Sequence, residues 1–506
     1  MEISAAQLIG FRSVQGTGSV FHAFDPVTGH RLGPNFREAT ADEVHAAVVL
    51  AQKAFRVFRH TTAAQRSLFL DAIAANIEVL GDELLQTIHQ ETALPLARLA
   101  GERIRTTGQL KLFAQLLRDG QWNKRIVDDA LPDRKPIARP QMIQVQVPVG
   151  VVAIFGASNF PLAFSVGGGD TVSALAAGCP VVFKAHPAHP ASCQLVAMAI
   201  VQAAKETGMP DGVFSLLHGF SPEMGGLLVT HPLIKAVAFT GSFKGGKALF
   251  DLGVRRKEPI PVYAEMGSVN PVFFLPEAVK KGGDELANQF AQSVTLGSGQ
   301  FCTNPGLCIL INNEESRLFI QKTADALSAT MIHPLLTKGI SEAFVAGLEK
   351  QKKLPGIEVV TGRREENIAP SMQMVSASYV LQQPEYFEEL FGPSTLAVLA
   401  DSYEEMYHIV EKMPGQLTGS IHAAELDYPQ AIELVDLLTQ KVGRLVMNGF
   451  PTGVEVSAAM VHGGPFPATT DSRVTSVGTT SIYRFTRPVC YQNMPFSLMP
   501  NGGTVH

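Results

Sequence analysis

The sequence predicts an α/β protein with two α/β domains, the first built around a parallel sheet. Three observations lead there. From Val151 onward, short apolar runs alternate regularly with helical stretches. After Glu265 a second series of apolar runs and helical stretches begins. The length, 506 residues, exceeds what one small core organises, so two or three domains are expected.

The elements follow in chain order. Residues 1–60 combine turn residues with an amphipathic helix predicted over 41–58 (ADEVHAAVVLAQKAFRVF). Residues 63–118 repeat apolar positions at helical spacing (LFLDAIAANIEVLGDELLQTI) and predict a helix-rich segment. From Trp122 to Pro148 the character changes. IARPQMIQVQVPVG alternates and carries prolines, which predicts an extended hairpin or edge segment. VVAIFG (151–156) is a short strand ending in glycine, followed by a helix near 165–177. CPVVFK (179–184), a helix near 191–207, VFSLLHG (213–219), a helix over about 223–229, KAVAFTG (235–241) and a helix after Ser242 continue the alternation. Strand–helix units in such succession argue for a parallel sheet covered on both faces. The second region offers NPVFFL (270–275), a helix near 284–295, CILINN (308–313), a helix near 315–328 and TLAVLA (395–400). From about Val477, TSIYRF and PVCYQN read as extended runs that pair with another segment or another subunit.

Composition excludes several classes of function. A net charge of −5 gives no basic footprint for nucleic acid or an anionic membrane. An apolar fraction of 46% fits an ordered chain. Five cysteines make no disulfide framework, and no cysteine or histidine group has zinc spacing, so no metal is expected. A reducing compartment fits, and a cytoplasmic location is expected. The N-terminus lacks a basic stretch followed by an apolar one, so it does not read as a secretory signal. The longest apolar stretch, 145–166, contains Pro148, Pro161, Asn159 and several glycines, and reads as strand, turn and helix start rather than a membrane span.

Chemistry concentrates in a few places. Cys302 follows Gly297, Ser298 and Gly299. Glycines there let the backbone approach a ligand closely and expose the next side chain. A thiolate adds to an aldehyde carbonyl, while a free cysteine is more often a small buried hydrophobe; spacing alone leaves both readings open. Glu265 closes YAE beyond a strand, and is either a surface or capping acid or a general base. An apolar pocket around it would raise its pKa toward neutrality. Asn159, just past VVAIFG, is either a turn residue or an oxyanion donor at the carboxyl end of a strand, partnered by the Cys302 main-chain N–H. Lys184 ends another strand, where an ammonium reaches nucleotide ribose or a 2′-phosphate, unless it is simply a solvated lysine. Ser242 is a natural N-cap, and with Gly241, Gly245 and Gly246 it opens a helix suited to a pyrophosphate. No G-x-G-x-x-G follows a strand, so a nucleotide would have to be held differently from the usual fingerprint.

Taken in order, Ser158-Asn159-Phe160-Pro161, Lys184, Phe239-Thr240-Gly241-Ser242, Glu265-Met266-Gly267, Gly299-Gln300-Phe301-Cys302 and Glu388-Glu389-Leu390-Phe391-Gly392-Pro393 resemble the aldehyde dehydrogenase superfamily over nearly the whole chain. The resemblance implies Cys302 as nucleophile, Glu265 as general base and Asn159 as oxyanion donor. It implies Lys184 at the adenosine ribose, and Gly241, Ser242 and Gly246 near the pyrophosphate. Glu389 would meet the nicotinamide ribose, and Phe391 would pack near the nicotinamide. It also implies three parts: a Rossmann-like nucleotide domain (1–121 and 148–264), a catalytic domain (265–476) and a small β oligomerisation arm (122–147 and 477–506). A homodimer or homotetramer follows from such an arm.

Departures from the family pattern narrow the reading. Ser158 stands where many members carry tryptophan, which implies a wider or more polar substrate funnel. Pro187 stands where NAD-preferring members often carry a glutamate. Losing that carboxylate removes repulsion against a 2′-phosphate, so NADP or NAD is expected, with NADP favoured. Asn448–Val454, His462–Ala468 and KAHPAHP (184–190) resemble the branch of α-ketoglutarate semialdehyde (2,5-dioxopentanoate) dehydrogenases. The expected reaction is oxidation of that aldehyde to 2-oxoglutarate. The competing readings are another aldehyde oxidiser, such as an NADP-dependent fatty aldehyde dehydrogenase, a CoA-acylating enzyme, and a catalytically silent binding homologue.

Overall fold

The computed structural model describes residues 3–361 and 368–499; the last residues assigned to the arm, 500–506, lie outside that range. A seven-stranded sheet runs in the order Val262–Glu265, Ile234–Thr240, Val151–Phe155, Val181–Lys184, Phe214–Leu217, Gln7–Ile9, Arg12–Val14. Its first five strands are parallel, and the two N-terminal strands join antiparallel. Alternate residues of one strand feed opposite faces, as a two-residue period requires. Val152 and Ile154 enter the core under the helices Ala63–Val79, Gly169–Ala177 and Pro190–Glu206. Val151, Ala153 and Phe155 enter the core under Ala41–Phe58 and Pro222–Thr230. Every residue of Val151–Phe155 is buried, which is why the run reads as continuously apolar.

A second seven-stranded sheet runs Glu358–Thr361, Ser371–Ser376, Ser394–Ala400, Leu307–Ile311, Val272–Phe274, Gln416–His422, Val442–Met447. All neighbours are parallel except the first pair. A three-stranded antiparallel sheet joins Ile126–Asp128, Met142–Pro148 and Thr486–Gln492, with Thr486 opposite Pro148 and Gln492 opposite Met142.

Three differences from the sequence reading have physical causes. The helix expected from residue 165 begins at Gly169, because Pro161 and the glycines 167–169 keep 157–168 in turns. The helix expected from 284 is the second half of Pro276–Thr295, which breaks at Gly283 with φ 49°. TSIYRF is not extended: Thr479–Phe485 is a 3₁₀ helix, and only Thr486–Gln492 is strand. Arg484 in that turn donates to Asp170 at 2.6 Å, a nearly buried ion pair that ties the tail to the helix Gly169–Ala177.

The carboxyl ends of the parallel strands carry Phe155, Lys184, Leu217, Thr240 and Glu265 to one rim of the first sheet. The edge strand Val262–Glu265 is closed by a loop from far along the chain. Thr469 bridges Glu265, Thr470 N–H donates to the Ala264 carbonyl, and Met266 N–H donates to the Ala468 carbonyl at 2.8 Å.

Candidate active site

Cys302 sits on a backbone held by shape and by hydrogen bonds. Gly297, Ser298 and Gly299 all take positive φ, at 58°, 56° and 69°. At Gly299 a Cβ would lie 2.3 Å from the Gly392 carbonyl oxygen, so only glycine lets the turn before Cys302 press against the Gly392–Pro393 backbone. That close approach is to the chain itself, not to a ligand as the glycine pattern suggested. The Asn270 amide Nδ2 donates to the carbonyls of Cys302 and Asn304, each at 2.9 Å.

The thiol opens a line of three groups. His462 Nε2 lies 3.3 Å from Cys302 Sγ and 2.8 Å from Glu265 Oε1. The Ser476 hydroxyl donates to Glu265 Oε2 at 2.5 Å. His462 and Glu265 side chains are 1% and 3% exposed, so that pair is shielded from bulk water, while Cys302 beside it is half-buried. Thr475 Oγ1 accepts the His462 main-chain N–H at 2.8 Å and the Phe164 ring packs 6.0 Å from the imidazole, which fixes the ring's place.

Burial pushes the Cys302 thiol well above its ordinary range, and the Glu265 charge and hydrogen bond push the same way. For Glu265, burial acts upward, but the His462 charge and hydrogen bond, with those of Ser476 and Cys302, outweigh it and hold the carboxyl below its ordinary range. The expected rise toward neutrality is therefore reversed, because hydrogen-bonded partners surround this carboxylate. The Cys302, His462 and Glu265 donor atoms lie within 4.8 Å of one another, a set that a soft cation such as zinc could also use. Its members are far apart in sequence, so spacing gave no sign of it.

Asn159 is brought beside the cysteine segment. Its Nδ2 donates to the Gln300 carbonyl at 2.9 Å, which leaves its second amide hydrogen free of that bond. Its main-chain carbonyl accepts from Arg98 at 2.7 Å, and the Arg98 guanidinium lies 5.0 Å from both the Phe160 and Phe301 rings.

The residues expected at a nucleotide fall in two groups. Glu389 and Phe391 line a small recess with Gly299, Phe301 and Asn304, next to the cysteine segment. Glu389 is half-buried; burial pushes its carboxyl up to about 7 against a Ser268 N–H that opposes the rise. Lys184, Gly241, Ser242 and Gly246 lie along the strand-end rim. Burial pulls Lys184 down to about 8 while Cys193 and Glu38 oppose this, and among the described residues its ammonium has neither an ion pair nor a hydrogen bond. Gly241 N–H donates to the Glu265 carbonyl at 3.1 Å. Ser242 Oγ accepts from Gly245 N–H at 3.3 Å and caps Phe243–Arg255. Gly246 serves packing, since a Cβ there would lie 2.6 Å from Met266 Cγ. Past Lys184, His186 and Pro187 open on a cavity of about 1240 Å³ whose other walls include Phe220 and Leu336.

A model of the aldehyde dehydrogenase family matches residues 13–466. The chain is 47% identical over 507 aligned positions to alpha-ketoglutaric semialdehyde dehydrogenase 2 of Azospirillum brasilense, covering 99% of this chain and 97% of that protein. It is 46% identical to alpha-ketoglutaric semialdehyde dehydrogenase of Acinetobacter baylyi, covering 99% and 96%. Among solved structures, betaine aldehyde dehydrogenase of Staphylococcus aureus in complex with NAD+ superposes with a TM-score of 0.82 at 20% identity, covering 98% of this chain and 96% of that one. 1-Pyrroline-5-carboxylate dehydrogenase from Thermus with bound NAD gives 0.80 at 20% identity, covering 96% and 92%. At those identities the structures speak to the fold alone.

Proposed function

The chain belongs to the aldehyde dehydrogenase family, and on that premise we propose that it oxidises 2,5-dioxopentanoate, the α-ketoglutarate semialdehyde, to 2-oxoglutarate with NADP or NAD. The similarity in sequence to two dehydrogenases named for that aldehyde, along nearly the whole chain, supports the substrate. The observation that carries the chemistry is the half-buried Cys302 thiol set against the buried His462–Glu265 pair.

Cys302 Sγ attacks the aldehyde carbon, and its proton passes to the His462–Glu265 pair. The second Asn159 amide hydrogen and the Cys302 main-chain N–H hold the developing oxyanion. A bound nicotinamide coenzyme supplies the acceptor for the hydride that leaves the thiohemiacetal and turns it into a thioester. Glu265 then takes a proton from the water that attacks the thioester, and Cys302 leaves as the carboxylic acid is released. A carboxylate base at Glu265 suits water rather than CoA as acyl acceptor.

The residues present fit such a coenzyme. The unpaired Lys184 ammonium would meet the adenosine ribose. The helix start at Gly241 and Ser242, with Gly246 behind it, would face the pyrophosphate. Glu389 and Phe391 would hold the nicotinamide end beside Cys302. Pro187 supplies no carboxylate to repel a 2′-phosphate, which supports NADP as the favoured coenzyme.

The domain boundaries 1–121 with 148–264, 265–476, and 122–147 with 477–506 remain part of this proposal, as do a homo-oligomer assembled through the three-stranded sheet and a cytoplasmic location. Among the described residues no helix is long and apolar enough to cross a membrane. An aldehyde panel with each coenzyme tests the function. 2,5-Dioxopentanoate is expected to have the highest kcat/KM, higher with NADP. A preference for hexanal would sink the substrate assignment, and product formation only with CoA would sink the hydrolytic route.

A further inference from the structure

We propose that Arg105 and Arg444 clamp the carboxylate end of the aldehyde, so that the site selects aldehydes bearing an anion a few carbons from the reacting carbon. The inference deepens the proposed function and rests on it for the identity of the substrate.

The two arginines, one on a helix and one on a strand, reach the same loop. Arg105, on the helix Leu96–Asp119, donates Nη2 to the Val454 carbonyl at 3.3 Å. Arg444, on the strand Val442–Met447, donates Nη1 to the Gly453 carbonyl at 2.9 Å and Nη2 to the Pro451 carbonyl. Each keeps one buried nitrogen without a partner: Nη1 of Arg105 and Nε of Arg444. A buried, unsatisfied N–H on a cation is costly, and a ligand anion would relieve two such costs at once.

Their position relative to the thiol fits this use. The Arg105 guanidinium lies 5.2 Å from the Phe164 ring, Phe164 packs 6.0 Å from His462, and His462 is 3.3 Å from Cys302 Sγ. One aromatic ring therefore spaces the cation from the reacting centre. Burial lowers both guanidinium pKa values; the charges of Glu102 and then Cys302 oppose this at Arg105, and that of Cys302 opposes it at Arg444, whose place beside Arg105 is set by their shared loop 451–454. The aldehyde and carboxylate carbons of 2,5-dioxopentanoate are four bonds apart, roughly 5 Å when extended at about 1.5 Å per bond. A charge-assisted hydrogen bond adds about 2.8 Å.

Nearby carboxylates do not fill the role. Glu102 Oε1 accepts the Leu162 and Ala163 N–H groups at 2.8 and 2.9 Å; its charge acts on Arg105 and its Oε2 is buried without a hydrogen bond, but among the described residues no ion pair joins the two. Glu265 is committed to His462 and Ser476. Glu455, which also acts on Arg105, is exposed. Arg98 is committed to the Asn159 carbonyl.

The test compares kcat/KM for 2,5-dioxopentanoate and glutaric semialdehyde with that for pentanal, in the wild type, Arg105→Gln, Arg105→Lys and Arg444→Gln. The anionic-over-neutral ratio should fall about 10- to 100-fold in Arg105→Gln, mainly through KM, the range a lost hydrogen bond to a charged group covers. Arg105→Lys should recover part of the ratio, and Arg444→Gln should lower it independently. A ratio unchanged in both glutamine variants overturns the clamp, as does a wild type with no preference for anionic aldehydes. A wild type that ignores 2,5-dioxopentanoate yet favours glutaric semialdehyde, with the preference lost in Arg105→Gln, would overturn the substrate assignment and keep the clamp. If Arg105→Gln does not fold, the unmodified enzyme still decides. Glutarate should slow alkylation of Cys302 more than pentanamide does, and equal protection would overturn the proposal.

Discussion

Two carboxyl groups near Cys302 are shifted in opposite directions, and each shift makes a prediction. The Glu265 charge helps keep the Cys302 thiol protonated. Removing it in Glu265→Gln should move the pH midpoint of Cys302 alkylation by iodoacetamide downward, while turnover falls about 100-fold or more with the loss of the base. An alkylation profile that stays put or moves upward would contradict this electrostatic reading. Glu389 behaves the other way. Its carboxyl is raised to about 7 in the folded chain, so its ionisation penalises folding as pH rises from the ordinary carboxylate range through 7, and the penalty is fully present above. Glu389→Gln should therefore raise the melting temperature of the coenzyme-free protein at pH 8.5 and leave it little changed at pH 4.5. An equal effect at both values would refute the assignment. The structure brings Cys302 and Glu265 together with Asn159 beside the cysteine segment, and the sequence pointed to these three because each sits in a short motif next to a strand end or a glycine turn. His462 and Ser476 were not legible as chemistry. They arrive on a loop 160 and 211 residues from their partners, and no spacing encodes that approach. The sign of the Glu265 shift was missed for the same reason, since its partners are visible only in three dimensions.

Among the elements, the turn before Cys302 is the most constrained. Gly299 combines φ 69° with the contact to Gly392. Gly299→Ala should cost several kcal/mol, adding a left-handed penalty of about 1–3 kcal/mol to a backbone clash. Thermal unfolding would register the loss, and turnover should drop with it. A variant with unaltered melting temperature and kcat would show that the turn relaxes freely. The parallel strands were legible because continuous apolar runs between glycine-rich ends suit a sheet buried on both faces. The N-terminal hairpin Val20–Phe24 with Arg31–Arg37 was not, since most of its residues are partly or fully exposed and its burial pattern is weak. TSIYRF misled because aromatic and β-branched content favours strand, whereas tertiary contacts, with Arg484 paired to Asp170, decided for a 3₁₀ turn.

For the whole molecule, the three-stranded sheet is the part least explained by a single copy. Ile126 and Val127 on its edge strand are 54% and 46% exposed. An edge with apolar side chains in water calls for cover, which supports a second copy as its partner. Ile126→Glu should shift the mass seen by light scattering from a multiple of 54.3 kDa toward that value, with the fold retained by circular dichroism. Wild-type protein that is already monomeric would rule the assembly out. The division into two α/β units was legible from the two series of strand–helix units; that the second sheet is also largely parallel emerged only in three dimensions. Which loop crosses between them was not, because loop sequence carries no periodicity.

That crossing loop has a consequence outside catalysis. Residues 468–470 cover the open margin of Val262–Glu265, a strand whose unpaired main-chain groups would otherwise template foreign strands. The same loop delivers His462 to the thiol. Loosening it would therefore cost turnover and expose a sticky seam in a single event, so inactivation by heat is expected to arrive together with turbidity rather than before it.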